Sequence, residues 1–386
     1  MRYRGLTWDH PRGEQALRVL AAKFNAEQRG DTLEWDTHPL EGFESAPIAE
    51  VCAQYHLVVL DHPHLGDALE SGSLRAITEA FAGTPVPCAE EQYIGASVAS
   101  YTVGGQLWAL PLDAATQVAA YDPEWIASPP REWNDVEQLA REAPVALSLA
   151  GPHALISWYS VCGALGAPVA PDGSVDADAG AAAYAVLARL AANSRAEWAE
   201  LNPIAMLELM SRGGEIAYAP LIYGYVNYAR PKPSQQETTP RRVAFADAPR
   251  FPGRPPGSTL GGTGLAVTAG TVLSPALAEH LAGLVGVPVQ SGLLVDEEGQ
   301  PARREAWLDS GVARRTGSFT AGTAQTLSAA TVRPRFPGYT AFQSTASALF
   351  RSALLSGSGA AQVLRQYDSL RRAALAATGP SRKVNS

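Results

Sequence analysis

The chain has 386 residues, of which 46% are hydrophobic and 18% charged, enough for two globular lobes with sizeable cores. Its formal charge of −8 excludes a binder of nucleic-acid backbones, which needs a basic surface, and no run reaches the roughly 18 apolar residues of a membrane-spanning helix. The three cysteines, Cys52, Cys88 and Cys162, fit neither a zinc spacing nor a complete set of disulfides, and are expected as buried free thiols.

Residues 1 to 112 alternate strand and helix signals. Tyr3 to Thr7 reads as a short strand, and Glu14 to Glu27 as a helix with Leu17, Leu20, Ala21 and Phe24 on one face. Thr32 to Trp35 is strand-like and Pro47 to Gln54 helical. Leu57-Val58-Val59-Leu60 has the continuous apolar character of a strand buried on both faces. A further helix starts at Gly66. This rhythm predicts a parallel sheet covered by helices, an α/β architecture.

Gly104-Gly105 reads as a hairpin turn and Gln106 to Leu112 as a strand leading into a chain crossing. Asp113 to Tyr121 continues extended. The segments Val136–Arg141, His153–Leu165, Ala179–Ala192 and Pro203–Ser211 are helical in pattern, and Glu215 to Leu221 is a strand candidate. Pro231 to Ser258, rich in Pro, Arg and Gly, reads as an irregular loop or second crossing, with its basic residues solvated. Leu260–Thr268 returns as a strand and Pro275–Val285 as a helix. Thr340 to Ala377 reads as two amphipathic helices split at Ser356-Gly357-Ser358-Gly359, before a frayed tail from Gly379.

Two runs share one unusual chemistry. Trp8-Asp9-His10-Pro11 and Leu60-Asp61-His62-Pro63-His64 each follow a strand-like stretch. Parallel strands end on a common edge, and ligands of open α/β sheets bind outside those carboxyl ends. Trp8, Asp9, His10 and Arg12, with Asp61, His62 and His64, are therefore expected around one cleft. Trp8 would offer a flat face and Asp9 an acceptor, while Asp9 also suits a helix N-cap ahead of Pro11. A zinc site from these histidines and aspartates is chemically conceivable, but no HExxH-type spacing is present and no metal is expected. Asp113 and Gln117 are polar positions in an apolar strand. Trp158 lies in an apolar helix, and Tyr223 and Tyr225 flank Gly224. Gly262 and Thr263 offer backbone N–H groups or a tight turn. Arg333 to Tyr339 reads as a rigid loop that closes over the cleft or packs on the body. No GxSxG elbow, catalytic-cysteine signature or GxGxxG is present, so no enzyme and no cofactor is expected.

Several segments carry a family resemblance. Leu57 to Ala68 resembles a strand ending in an acidic ligand-binding turn. Gly104-Gly105-Gln106-Leu107-Trp108-Ala109-Leu110-Pro111 with Val118 to Tyr121 is similar to a "GGKxYxxP…xxYY" crossing. Gly214 to Tyr218 with Leu221 to Tyr225 is similar to "GxxAM…G", and Leu260 to Val267 to "GGxGLAV". In order and spacing these resemble the bacterial extracellular solute-binding proteins of ABC importers, of the large sugar-binding type. The resemblance implies a two-lobe periplasmic-binding-protein-like (type II) fold, each lobe a mostly parallel sheet flanked by helices. Lobe one would hold 1–112 plus 259–312, and lobe two 113–258 plus 313–386. It further implies hinge closure on a small polar solute, a carbohydrate by default and a cationic or quaternary ammonium solute next, for delivery to an ABC permease. A monomer in the periplasm is expected, although no signal-peptide pattern precedes the first strand. The alternative is a cytoplasmic metabolite sensor or a metal-dependent hydrolase built on the Asp-His cluster.

Overall fold

Strand β1 (Arg2–Trp8) alternates exposed and buried residues at its start and is fully buried from Gly5 onward, as a strand does when it enters the middle of a covered sheet. It pairs in parallel with β2 (Thr32–His38) on one side and β3 (Leu57–Leu60) on the other. The computed structural model describes residues 1–27, 30–40, 42, 46–230 and 243–378. The predicted tail from Gly379, and residues 231–242 of the basic loop, lie outside the described residues. Three short strands, β4 (Leu74–Arg75) and the hairpin of β5 (Thr102–Val103) and β6 (Gln106–Leu107), precede the element that organises the molecule.

That element is β7 (Leu110–Tyr121), 12 residues long. With β8 (Tyr218–Tyr223), β9 (Ala244–Ala246) and β10 (Leu260–Thr268) it completes an 8-stranded sheet of order β2-β1-β3-β10-β7-β8, with β4 beside β10 and β9 beside β7. The first half of β7 pairs antiparallel with β10, and its second half, Gln117–Tyr121, pairs with β8 and β9. One strand therefore belongs to two groups of partners. The predicted crossing at Pro111 and the extended stretch from Asp113 are one continuous strand. Pro111 is tolerated because its partner Gly264 sits at a register shift, where a missing N–H breaks no regular ladder.

Helix α1 (Pro11–Ala26) buries Ala16, Leu17, Leu20, Ala21 and Phe24 against the sheet, the apolar stripe visible in its sequence. On the far side, α2 (His153–Ala164), α3 (Ala177–Ala191), α4 (Tyr339–Ser356) and α5 (Ala360–Ala377) enclose a core of Trp133, Trp158, Tyr159, Tyr184, Phe350 and Tyr367. Each such buried ring contributes roughly 1.5–3 kcal/mol of transfer free energy. The break between α4 and α5 falls where the Ser-Gly repeat places it, with Gly357 at a φ of 68° capping α4. The strand expected at Glu215–Leu221 forms later, at Tyr218–Tyr223, because Gly213 and Gly214 both take positive φ and delay the extended run. The helix Phe319–Ala329, packed on β7 and β9, had no recognisable signal. Cys52 and Cys162 are buried free thiols, whereas Cys88 is exposed. No single helix among the described residues is long and apolar enough to cross a membrane.

Candidate functional site

The carboxyl ends of the neighbouring parallel strands β1 and β3 open onto a narrow cleft of about 60 Å³, lined among others by Trp8, Arg12, Asp61, Tyr223, Tyr225, Gly262 and Thr263. A smaller recess of about 30 Å³ continues past Asp61 and Tyr223 to His64, Pro152, Arg333 and Gln343. Larger grooves exist at the surface, one around Arg131 and Arg250 and one around Leu370 and Ala374. Neither gathers buried ionised groups as this cleft does, and convergent polar groups in a concave site mark function better than volume.

Two arginine–carboxylate pairs form its walls. Arg12 donates from Nε and Nη2 to both carboxylate oxygens of Asp113, at 2.7 and 2.5 Å, and from Nη1 to the Gly224 carbonyl at 3.2 Å. Both side chains of the pair are buried. Burial pushes the Asp113 carboxyl upward against the opposing pull of Arg12, while Arg12 itself is raised because Asp113 outweighs its burial. Opposite, Arg333 pairs with Asp61 Oδ2 and donates from Nε to the Leu260 carbonyl at 3.2 Å. Burial raises the Asp61 carboxyl, yet the Arg333 charge and the His62 contacts outweigh it and hold the group far below the usual carboxylate range.

His62 is completed by the same residue. The Arg333 backbone N–H donates to His62 Nε2 at 3.3 Å, which fixes the proton on Nδ1, 3.2 Å from Asp61 Oδ1. Burial and the Arg333 charge push its pKa down to about 4, with Asp61 opposing. The segment carrying Arg333 straps onto the first half of the chain: Arg335 donates to the Ala99 and Thr102 carbonyls, and Gly338 N and Thr340 Oγ1 donate to Asp67. The helix Leu65–Glu70 comes so close that a Cβ on Gly66 would stand 2.5 Å from the Arg335 carbonyl oxygen. Of the two sequence alternatives for this loop, packing on the body is the one adopted.

The other candidates divide clearly. His64 is buried and lines the recess. Asp9 is exposed and does not line the cleft, its backbone N–H donating to the His38 carbonyl at 2.8 Å. Nor does Asp9 cap α1. His10 does, through Nδ1 accepting from Arg12 N at 3.1 Å, because Pro11 at the first helical position makes its predecessor the cap. Trp8 borders the cleft but offers it no open face: His10 stacks on it at 5.1 Å, Arg12 lies 5.7 Å from its ring centre, and a Cβ on Gly13 would meet its indole at 2.3 Å.

Gln117 and Trp158 are not brought to the cleft. Trp158 is 1% exposed, packed on Phe350 and Tyr367, with Nε1 donating to the Gly180 carbonyl at 2.8 Å. Gln117 is fully buried where the chain crosses between the two groups of strands. There Nε2 donates to Ser157 at 2.9 Å and Oε1 accepts from Ser160 at 2.7 Å, while Ser258 donates to its carbonyl at 2.6 Å. Thr331 joins through paired backbone bonds, Leu260 N to Thr331 O at 2.8 Å and Thr331 N to Ser258 O at 2.9 Å. A polar residue in an apolar strand must find partners, and here they belong to the crossing itself. Sequence reasoning did not assign Leu40, Ala115, Gln343 or Arg333 to the walls; only Arg333 carried a signal, as part of a rigid proline-flanked loop.

Gly261 and Gly262 allow β10 to approach closely. A Cβ on Gly261 would meet the Tyr223 ring at 2.5 Å, and Gly262, at a φ of +98°, would place one 2.3 Å from the Asp113 carbonyl oxygen. Gly262→Ala is expected to destabilise the protein by about 1–3 kcal/mol, read as a lower urea midpoint at unchanged m-value; an unaltered midpoint would contradict this packing. Among the described residues no group of three His, Cys, Asp or Glu side chains is arranged to hold a metal. The Asp-His runs end instead in an N-cap and an arginine clasp, which disfavours the hydrolase alternative.

No protein-family model matches the chain, and no curated protein matches it by sequence. Among solved structures it is similar to maltose-bound MalE3 of T. maritima, with a TM-score of 0.77 at 14% identity over 97% of this chain and 99% of that one. The GacH receptor of Streptomyces glaucescens, solved unliganded and with acarbose, gives 0.75 at 17% identity over 96% and 98%. A ribitol complex of an ABC-transporter solute-binding protein from Agrobacterium radiobacter gives 0.73 at 17% over 97% and 98%. At these identities the likeness is one of fold, and the architecture is the two-lobe α/β fold of these binding proteins.

Proposed function

We propose that this chain is a non-enzymatic solute-binding protein that captures a small polyhydroxylated solute in the cleft and presents it to an ABC permease. The observation that carries this reading is the position of the cleft. Its lining comes from both partner groups of β7, and on this reading it separates one body of 1–112 plus 259–312 from another of 113–258 plus 313–386. Hinge closure at that crossing buries a ligand between contacts from both bodies, so ligand shifts the population toward the closed form. Arg12, Asp61, His64, Tyr223, Tyr225, Gly262 and Thr263 are the contacts we assign, with Asp113 and His62 holding the arginines in place behind them. Proteins of the same fold bind maltose, acarbose and ribitol, which supports a sugar or polyol as the ligand. A monomer working in the periplasm follows from the same reading.

A thermal-shift screen of maltose, acarbose, ribitol, mannitol and common monosaccharides tests it. A ligand at 100 times its dissociation constant adds about 2.7 kcal/mol of stability, and at least one member of the panel is expected to give such a shift. Tyr223→Phe, which removes one hydroxyl from the wall, should weaken that ligand about tenfold, the worth of one hydrogen bond. No shift with any neutral sugar or polyol, and no ligand-dependent compaction in small-angle scattering, would overturn the proposal.

A further inference from the structure

The surroundings of Arg12 have the composition of a cation-binding site. Its guanidinium lies 4.8 Å from the centre of the Tyr225 ring and 5.7 Å from that of Trp8. Asp113 takes two of its N–H groups and the Gly224 carbonyl a third. Two aromatic faces, a carboxylate and a carbonyl around one positive charge is the arrangement by which proteins hold quaternary ammonium and guanidinium ligands. The cage borders the cleft, since Trp8, Arg12 and Tyr225 all line it, yet the Arg12 side chain is only 4% exposed. The chain fills the cage with its own cation.

Charge balance points the same way. Arg12 with Asp113 and Arg333 with Asp61 leave both walls neutral, while burial keeps His62 and His153 uncharged at neutral pH. A charged solute would have to be buried with no partner left for it, or would have to break one of these pairs. A neutral solute meets no such penalty.

We propose that Arg12 is a specificity-determining residue: an internal occupant of a cation cage walled by Trp8, Tyr225 and Asp113, which bars cationic solutes from the cleft and leaves it to uncharged ones. The statement about solutes rests on the solute-capture reading, whereas the cage stands without it. Arg12→Ala empties the cage. Ethylguanidinium chloride and tetramethylammonium chloride at low millimolar concentration should then raise the melting temperature of the variant, with sodium chloride at matched ionic strength as control. The variant should bind these cations at least tenfold more tightly than the unmodified protein. If Arg12→Ala does not accumulate folded, its refolding yield with and without ethylguanidinium gives the same answer. Arg12→Lys, which keeps a cation in the cage, should stay blind to tetramethylammonium. The cage is refuted if neither cation improves melting or refolding beyond sodium chloride, or if the unmodified protein binds tetramethylammonium as well as the variant does. Rescue by cations with no sugar or polyol bound by the unmodified protein would sink the solute-capture reading alone. Polyol binding without rescue would sink the cage alone.

Discussion

Arg333→Ala is expected to lower the unfolding free energy by about 3–5 kcal/mol, the usual result of deleting one partner of a buried ion pair. The side chain is 3% exposed, and its loss strands more than a hydrogen bond. Asp61 would keep its charge with no cation beside it, and the Leu260 carbonyl and Gln343 Oε1 would each lose a donor. Asp61→Ala should be costly for the complementary reason, because it leaves the Arg333 guanidinium buried and unpaired. Replacing both together is expected to cost much less than the two single changes added, since a pair exchanged for well-packed apolar groups is often near neutral. Urea denaturation of the two single variants and the double variant measures this coupling. Single variants within about 1 kcal/mol of the parent, or strict additivity, would show that the clasp contributes nothing. Because the clasp ties the segment after β10 to the end of β3, the same variants should also bind solute more weakly.

Acid should destabilise the protein well above the range where carboxylates titrate. His62 has its pKa pushed down to about 4, chiefly by burial and the Arg333 charge. His153, buried edge-on to Tyr223 at 5.6 Å, is pushed down to about 3 by the same two causes. Both are neutral in the folded protein, and both take up a proton on unfolding below pH ~6.5. The unfolded state then holds more protons, so stability rises with pH in this window and falls as pH drops. Their contribution is fully present above pH ~6.5 and is lost progressively toward their folded-state values. Between pH ~6.5 and ~4.5 the two together account for a loss of roughly 4 kcal/mol. His38 and His280, lowered mainly by burial, add in the same direction. The raised carboxyls of Asp113 and Asp247 act the other way over their own titration. The depressed Asp61 adds its own loss of stability as pH falls from the ordinary carboxylate range downward. Protonating His62 would also set its Nε2–H against the Arg333 N–H that it now accepts, so acid loosens the clasp directly. Unfolding free energies across this range, compared with His153→Leu, check the claim. A flat profile, or an unchanged slope in the variant, would refute it.

Much of this architecture was legible before any coordinates. The four-residue apolar run at Leu57 could only be a central strand, and the stripe of Leu17, Leu20, Ala21 and Phe24 could only face a core. Because β1 and β3 are parallel neighbours, their ends meet on one edge, and Trp8 and Asp61, from the repeated Asp-His-Pro runs, border the same cleft. Local chemistry, by contrast, misassigned the cap of α1 by one residue, since Asp9 and His10 are both plausible caps until the backbone at Pro11 is fixed.

Periodicity and local chemistry thus determined most strands and helices and the crossing, but neither the strand Ala244–Ala246, which falls within the segment read as an irregular loop, nor the helix Phe319–Ala329. Tertiary structure alone decided which charges meet. Arg12 and Asp113 are 101 residues apart, and Arg333 and Asp61 272 apart. An ion pair has no period along the chain, so nothing in one sequence announces it. The same holds for Gln117 and Trp158: composition marks a polar or aromatic residue in an apolar element, but only the surrounding elements decide whether it turns to a cleft, a crossing or a core. Hydrophobic pattern is a property of neighbours in sequence; charge compensation is a property of neighbours in space.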